Sequence, residues 1–260
     1  MADGSAILEL QGVSKSFGGV HAVRDCSFTV QAGTLTGLIG PNGAGKSTTV
    51  DLVSGFKSVD AGTIRFDGRE VQNRPAHVVS RLGLMRTFQT PREWPKLTTL
   101  ENLLVASVDD RRESLGLALF NRRAVREAEA STRAEARAVL AEFSLTAVGN
   151  ELAGNLSGGQ KRLLEFARVM VARPKLVVLD EPQSGVNPVL GDRMGSAIQQ
   201  LVTSGITVVM VEHNLGFVER LCDPVIVMAL GSPIASGTMA ELRRNPDVLD
   251  AYLGEVAPHG

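Results

Sequence analysis

Short apolar runs separated by helical segments fill the last third of the chain. The runs at 176–179, 206–211 and 225–229 predict strands, and the segments at 189–204 and 215–221 between them predict helices. Apolar strands that alternate with helices are typical of a mostly parallel sheet covered on both faces. We therefore predict an α/β fold for this part of the chain.

The first third and the middle third of the chain have different patterns of hydrophobic and polar residues. The first third predicts strands joined by tight turns, at 7–10, 26–30, 35–39, 62–66 and 84–87, and a helix over 46–54. From about 111 to 143 the residues Arg, Glu and Ala dominate, which is typical of a helix with a solvated face. A second helix is predicted from about 160 to 172 and ends before Pro174. Helical material between about 88 and 172 therefore looks like an insertion into the α/β core.

The composition of the chain limits which partners and which cellular compartment we expect. The chain has 260 residues, and 43% of them are hydrophobic, which is enough for a sizeable core. A formal net charge of −1 gives no reason to expect nucleic acid as a partner. Cys26 and Cys222 lack metal-ligand spacing and any redox motif, so we expect two buried or half-buried thiols in a reducing cytoplasm.

The sequence gives no sign of its own membrane segment. The first residues lack a basic segment followed by an apolar stretch, so we expect no signal peptide. No apolar run reaches the roughly 18 residues that a membrane span needs. Any role at a membrane is therefore expected to come through a partner.

Residues 40–48 form the most specific motif of the first third. They read Gly40-Pro41-Asn42-Gly43-Ala44-Gly45-Lys46-Ser47-Thr48, which fits the nucleotide phosphate-loop pattern in full. Glycines let backbone N–H groups turn inward toward phosphate oxygens, and the helix that follows adds its partial positive charge. In this motif the lysine, here Lys46, reaches the β- and γ-phosphates, and the hydroxyl of Ser47 binds Mg²⁺.

A second candidate site lies at the end of the predicted strand 176–179. Asp180 and Glu181 follow it directly. Many strands end in a carboxylate at the surface, so this pattern alone is weak. Together with a phosphate loop upstream, it predicts that Asp180 holds Mg²⁺ directly or through water. Glu181 is then a candidate base for an attacking water.

A third motif, Leu156-Ser157-Gly158-Gly159-Gln160, precedes a predicted helix. Ser157 is well placed as an N-cap, and the two glycines expose N–H groups at the positive end of the helix. An ordinary capped helix after a glycine turn would look similar. With this pentapeptide added to the two sites above, the chain resembles the ATP-binding subunits of ABC transporters over essentially its whole length.

The resemblance implies an architecture and a set of functional residues. It implies a P-loop NTPase (RecA-like) core with an antiparallel β subdomain and an inserted α-helical subdomain. The core would comprise 1–87 and 173–260, and the helical subdomain 88–172. The implied ligands are ATP and Mg²⁺. The implied ATP contacts are Phe17, Asn42, Gly43, Ala44, Gly45, Lys46, Ser47 and Thr48, with Ser157, Gly158, Gly159 and Gln160 acting on the ATP of a partner subunit.

Three further residues match family elements by their order along the chain. Phe17 matches the aromatic residue that stacks on adenine. Gln89 matches the glutamine that touches the metal and the water, and His213 matches the histidine that contacts the γ-phosphate. The implied catalytic residues are therefore Glu181, His213 and Gln89, and the implied Mg²⁺ contacts are Ser47, Gln89 and Asp180. One departure from the family pattern is Asn187, where many members carry an aspartate, so charge coupling between two ATP sites is in doubt.

Three stretches, 86–91, 185–188 and 245–254, resemble the branched-chain amino acid importer group. This implies uptake of hydrophobic amino acids or of a related small solute. It also implies a homodimer or a heterodimer with a second ABC ATPase, two integral membrane permease subunits and an extracytoplasmic solute-binding protein. The implied location is cytoplasmic and peripheral, on the inner face of the cell membrane.

Other functions remain open at this point. A urea or amide importer and a lipid or lipopolysaccharide exporter would use the same ATPase chemistry with different permeases. A soluble ABC ATPase of DNA repair or translation usually has long coiled-coil insertions or two cassettes in one chain. Here only 67 positions separate Gln89 from Leu156, and the chain carries one phosphate loop, so a transporter is favoured.

Overall fold

The computed structural model describes residues 5–87, 93–107, 122–184 and 188–253. The chain divides into two compact units. The first unit consists of Met1–Gln89, Lys175–Gly185 and Val202–Gly260, and the second of Thr90–Pro174 and Val186–Leu201. Each unit is described separately below.

The first unit contains two sheets. Its strands are β1 (Ala6–Phe17), β2 (Val20–Gln31), β3 (Leu35–Ile39), β4 (Ala61–Phe66), β5 (Arg69–Glu70), β6 (Leu84–Arg86), β7 (Leu176–Asp180), β8 (Thr207–Val211), β9 (Val225–Ala229) and β10 (Ser232–Gly237). Four of them form an antiparallel sheet in the order β2-β1-β4-β5. The other six form a mixed sheet in the order β10-β9-β3-β8-β7-β6, in which only the edge pair of β9 and β10 is antiparallel.

The central strands of the six-stranded sheet are buried along their whole length. Every residue of β3, β7 and β8 is buried, which explains why these strands are almost continuously apolar rather than alternating. Val211 at the end of β8 lies opposite both Leu38 of β3 and Asp180 of β7. The carboxyl ends of these parallel strands therefore lie at one level, on one edge of the sheet.

The chain folds into nine helices within the described residues. Those beginning in the first unit are α1 (Lys46–Val53), α2 (Ala76–Arg81), α7 (Leu215–Leu221), α8 (Met239–Leu242) and α9 (Pro246–Leu253). Those beginning in the second unit are α3 (Thr99–Ala106), α4 (Arg122–Glu142), α5 (Gly158–Ala172) and α6 (Pro188–Thr203). One apolar core in the first unit joins the two sheets and α1, and it includes Leu8, Leu38, Val50, Ile64 and Val178.

In the second unit, α3, α4 and α5 pack on one another. Two of these helices begin with a capping box. Thr98 accepts a hydrogen bond from the backbone N–H of Glu101, whose side chain accepts from the Thr98 N–H, and Ser157 and Gln160 repeat this exchange at the start of α5. The described part of this unit also contains short 3₁₀ turns at Thr146–Val148 and Ala153–Asn155.

The α/β fold class predicted from the sequence is confirmed, with its antiparallel sheet and its helical part. The strands at 35–39 and 225–229 and the helix at 215–221 have the predicted bounds. The strands predicted at 7–10 and 26–30 were too short, because β1 and β2 each span 12 residues. Several register shifts interrupt their pairing and break the alternation that would reveal their length.

Other differences concern helices and short strands. The part of the predicted helix 111–143 that the structure describes is α4, and 111–121 lies outside the described residues. The sequence reading missed β5, β10, α2, α3, α8 and α9. Both cysteines are buried free thiols, as expected, and burial raises the pKa of each to about 12. Across the described ranges, no helix combines the length and the apolar character needed to cross a membrane.

Candidate functional site

The predicted site residues of the first unit gather at the carboxyl edge of the six-stranded sheet. The phosphate-loop segment 40–45 follows β3, and Asp180 ends β7 with Glu181 directly after it. His213 lies two residues beyond β8. Because β3, β8 and β7 are neighbours in register, these three segments leave the sheet side by side. Topological edges of this kind are where open α/β sheets bind ligands.

Two glycines of the phosphate loop are required by the fold itself. Gly40 has φ +149° and Gly45 has φ +94°. A Cβ atom at Gly40 would lie 2.1 Å from the carbonyl oxygen of Met228, and one at Gly45 would lie 2.4 Å from that of Ala22. Any larger residue would therefore collide with fixed backbone at these two positions. Gly43 also has a positive φ, +74°, but faces open space.

Hydrogen bonds hold the phosphate loop, and the helix α1 that follows it begins without a side-chain cap. Lys46 Nζ donates to the carbonyl oxygens of Gly40 at 2.7 Å and Pro41 at 2.9 Å. The carbonyl of Ala44 accepts from Gly231 N–H at 3.1 Å, which ties the loop to the turn between β9 and β10. The N-cap, Gly45, has no side chain to satisfy the first N–H groups of the helix, which can therefore bind an anion. Ser47 is exposed in the first turn.

Asp180 is buried and bound to an arginine. Its side chain is 7% exposed, and its Oδ2 accepts a hydrogen bond from Arg86 Nη2 at 2.8 Å. The same guanidinium pairs through Nη1 with Asp51 of α1, which also pairs with Lys57. This network joins the end of β7, the end of β6 and the helix of the phosphate loop.

The charges in this network shift the pKa values of Asp51 and Arg86. Burial alone would raise the pKa of Asp51, but hydrogen bonds from Lys57 and Arg86 outweigh it and hold that pKa below its usual range. Burial would likewise lower the pKa of Arg86, but the bonds to Asp51 and Asp180 raise it instead. Asp51 and Arg86 are therefore both charged at neutral pH.

Glu181 has an unusual backbone conformation. Its φ is +46°, in the left-handed region that a non-glycine residue rarely adopts. Its N–H donates to the carbonyl of Val211, and its own carbonyl accepts from Ser184 N–H at 3.0 Å, which closes a tight turn over 181–184. Such conformations cluster at functional sites. The nearby His213 side chain is 66% exposed.

Phe17 lies at the end of β1 with 43% of its surface exposed. The ammonium groups of Lys15 and Lys57 each lie 5.5 Å from the centre of its ring. Lys15 is held by Asp60 at 2.6 Å, and Lys57 by Asp51. The ring is therefore an exposed, electron-rich surface flanked by two cations.

The residues of the third motif belong to the second unit. Ser157 and Gly158 are exposed at the start of α5, where Ser157 Oγ accepts from Gln160 N–H at 3.3 Å. Gly159 has a packing role as well, because a Cβ atom there would lie 2.6 Å from Leu190 Cδ2 of α6. The start of α5 is thus an exposed helix end with an intact cap.

Two predicted residues lie outside the described residues, namely Gln89 and Asn187. Three residues at the site were not predicted as site residues from the sequence: Arg86, Asp51 and Glu212. Arg86 begins the stretch 86–91 that resembles the importer group, and Asp51 matches no motif; only tertiary pairing shows that Arg86 joins Asp51 to Asp180. Glu212 directly precedes His213, and this neighbour was a usable signal.

The sequence profile described as ABC transporter matches residues 23–184. A second profile, described as branched-chain amino acid ATP-binding cassette transporter, matches residues 232–258. The chain is 40% identical over 250 residues to the high-affinity branched-chain amino acid transport ATP-binding protein BraF of Pseudomonas aeruginosa, covering 96% of this chain and 98% of BraF. It is 35% identical over 250 residues to LivG, a protein of the same description from Escherichia coli K12, with coverage of 96% and 98%.

Solved structures with the same fold include two ATP-binding cassettes of ABC transporters. A nucleotide-free cassette superposes with a TM-score of 0.78 at 32% identity, covering 95% of this chain and 99% of the other. The ADP conformation of the cassette MJ1267 superposes with a TM-score of 0.79 at 32% identity, covering 96% and 99%.

Proposed function

We propose a function from one premise, which is that this chain belongs to the ABC transporter family. It is the ATP-hydrolysing subunit of an importer for branched-chain or other hydrophobic amino acids. ATP-binding proteins of this family hydrolyse ATP to drive transport. The observation that carries the proposal is the shared sheet edge, where the phosphate loop, Asp180, Glu181 and His213 emerge from adjacent strands.

The triphosphate would bind at the start of α1. Backbone N–H groups of 42–48 and the positive end of the helix face the phosphates, and Lys46 exchanges its loop carbonyls for the β- and γ-phosphate oxygens. The exposed ring of Phe17 offers a stacking surface for adenine. The hydrogen bond from Gly231 N–H to the carbonyl of Ala44, and the close approach of Gly45 to the backbone of Ala22, keep the loop in place during this exchange.

The donor set at the site fits Mg²⁺. Ser47 offers a hydroxyl and Asp180 a carboxylate, which are the hard oxygen ligands that this ion prefers. We propose Gln89 as a third contact. When bound, the ion offsets negative charge on the β- and γ-phosphates. The hydrogen bond from Arg86 holds the carboxylate of Asp180 in place at the end of β7.

We assign proton transfer to Glu181. Its carboxylate would orient a water molecule and accept its proton as the oxygen attacks the γ-phosphorus. The bond from that phosphorus to the bridging oxygen would break and release ADP and phosphate, while His213 and Gln89 would contact the γ-phosphate and the water. The turn over 181–184 and the positive φ of Glu181 fix the backbone from which this side chain projects. Phosphoryl transfer depends mainly on such positioning.

Completion of the site would require a second subunit. We propose that Ser157, Gly158, Gly159 and Gln160 of one chain close on the ATP bound by the phosphate loop of another, which is either a second copy or a related ATPase. The exposed, capped start of α5 supports this, because its N–H groups can bind an anion. The division into a core of 1–87 and 173–260 and a helical subdomain of 88–172 remains part of this proposal.

The transported solute is inferred from relatives. BraF and LivG are named as branched-chain amino acid transport proteins, and the profile of that group matches the tail at 232–258. We propose that the chain binds two permeases at the inner face of the cell membrane and acts with an extracytoplasmic solute-binding protein.

The most direct test of ATP binding is Lys46→Ala. Removing the ammonium group should weaken ATP binding at least about tenfold and abolish hydrolysis, because a charge-assisted contact to phosphate is lost. Equilibrium titration with ATP and a phosphate-release assay measure the two effects. Lys175→Ala is the matched control, since Lys175 is a half-exposed lysine of the same unit that pairs with Asp67 on the surface.

The same substitution tests the transport role. Cells that carry Lys46→Ala at the chromosomal copy should lose uptake of labelled leucine, isoleucine or valine, while Lys175→Ala cells keep it. Unchanged ATP affinity in Lys46→Ala would contradict the binding site. Normal amino-acid uptake with inactive ATPase would contradict the importer assignment instead.

A further inference from the structure

Glu212 is a buried carboxylate between β8 and His213. Its side chain is 0% exposed, whereas the next residue, His213, is 66% exposed. Burying a carboxylate is costly unless hydrogen bonds replace its hydration. Its partners therefore show what the residue does.

Three backbone N–H groups from two loops supply those bonds. Oε1 accepts from Gln183 N–H at 2.9 Å, in the turn that follows β7. Oε2 accepts from His213 N–H at 3.1 Å and from Asn214 N–H at 3.4 Å, in the loop that follows β8. Each oxygen thus serves a different loop.

A second bond joins the same two loops at the surface. Asn214 Nδ2 donates to Gln183 Oε1 at 3.1 Å. The Oδ1 atom of Asn214 accepts from Phe217 N–H at 3.2 Å and caps α7. Glu212, Gln183 and Asn214 therefore form a clamp between the turn that carries Glu181 and the loop that carries His213.

We propose that Glu212 is a positioning residue, which holds the Glu181 turn and the His213 loop in one fixed relation so that both reach the γ-phosphate together. This inference rests on the proposed function, because it takes Glu181 and His213 as the groups that act on the phosphate. Glu212 itself has no surface from which to touch a substrate. It acts through the backbone of its neighbours and through the imidazole of His213, whose Nδ1 lies 3.8 Å from Oε2.

The substitution Glu212→Gln separates the two halves of the clamp. The amide has one acceptor oxygen, which favours the side with two N–H donors, at His213 and Asn214. Its NH₂ group then faces Gln183 N–H, a donor against a donor. We expect kcat for ATP hydrolysis to fall at least about tenfold, since small misplacements of reacting groups are costly. KM for ATP should stay within about twofold, because no phosphate-loop bond involves Glu212.

Amide hydrogen exchange of the full chain gives a readout that does not need activity. In Glu212→Gln the N–H of Gln183 should exchange much faster, while those of His213 and Asn214 keep most of their protection. Glu219→Gln is the matched control, because Glu219 lies in α7 with a half-exposed side chain paired to Arg243. It should leave both kcat and exchange unchanged.

Asn214→Ser tests the clamp without touching the buried carboxylate. Serine keeps the cap of α7 but is too short to reach Gln183. We expect a smaller fall in kcat than for Glu212→Gln, again with KM unchanged, and an unchanged melting temperature. This variant decides the matter if Glu212→Gln does not fold.

Several outcomes would overturn the inference. The inference is wrong if kcat is unchanged in both variants, if kcat/KM falls only because KM rises, or if the amide N–H of Gln183 exchanges at the wild-type rate. Failure of the proposed function looks different, because wild type and Glu219→Gln would then also lack ATPase activity. In that case the exchange experiment still reports whether Glu212 holds the two loops together.

Discussion

Arg86 shows how one side chain can hold two carboxylates of a site. Its side chain is 11% exposed and pairs with Asp51 on α1 and Asp180 on β7. A buried charge without a partner is strongly destabilising, so the three groups depend on one another. The carboxylate proposed to bind Mg²⁺ is consequently fixed by a residue that no nucleotide motif contains.

The substitution Asp51→Asn should reveal this dependence as a change in stability with pH. The pKa of Asp51 is held below its usual range, so its stabilising effect is complete above the ordinary aspartate pKa of about 3.9 and is lost as pH falls through the lower, folded-state pKa. We expect the variant to be less stable by about 1–3 kcal/mol at pH 7, because charge-assisted bonds are lost. The difference from wild type should shrink as the pH falls below about 3.9.

Urea unfolding at pH 7 and at acid pH measures this difference. Asp67→Asn is the control, since Asp67 pairs with Lys175 at the surface and asparagine tolerates its positive φ of +51°. The control should lose less than about 1 kcal/mol. Equal losses in both variants, or a difference that does not depend on pH, would show that Asp51 is not held by Arg86 and Lys57.

At the scale of elements, the start of α5 combines a structural and a proposed functional role. Ser157 caps the helix, and the same exposed turn is proposed to meet ATP. Ser157→Asp should keep the cap, because aspartate is as good an N-cap residue as serine, and so keep the melting temperature. It also brings a carboxylate to the proposed phosphate contact. We therefore expect ATPase activity to fall at least about tenfold, since like charges repel.

Thr98→Ala provides the converse control within the same unit. It removes the cap of α3, which is also a capping box, and should cost about 1 kcal/mol of stability. ATPase activity at a temperature where the protein stays folded should be unchanged. If Ser157→Asp hydrolyses ATP normally, the start of α5 does not meet the nucleotide.

The elements also show what the sequence could predict. The buried parallel strands were predicted well because a strand covered on both faces is nearly continuous in apolar residues. Helices α3 and α8 were missed although each begins with a readable capping box, Thr98 with Glu101 and Thr238 with Glu241. The signal was present, but both helices are short, with eight and four residues.

The site was predictable to the extent that it is local in sequence. The phosphate loop is one continuous segment, so its full motif can be read from the sequence. The links of Asp180 to Arg86 and of Gln183 to Glu212 span 94 and 29 positions. Such pairings depend on which strands are neighbours in the sheet. The spacing of hydrophobic residues along the chain does not show this.

The whole molecule carries two unlike helix starts that can bind an anion. One follows the phosphate loop of the first unit and carries Lys46, and the other begins α5 in the second unit and carries backbone donors, Ser157 and Gln160. A site assembled from two subunits would couple ATP binding to association, and hydrolysis to separation. That coupling would transmit work to the permeases.

A structure of the Glu181→Gln variant with MgATP, prepared with its partner ATPase subunit, tests this assembly most directly. Loss of the proposed base should slow hydrolysis by about 10²–10⁴-fold, so that intact ATP remains bound. The account predicts that Ser157 and Gly159 contact the γ-phosphate of ATP held by the phosphate loop of the neighbouring subunit. A map in which both residues face solvent, away from any triphosphate, would contradict it.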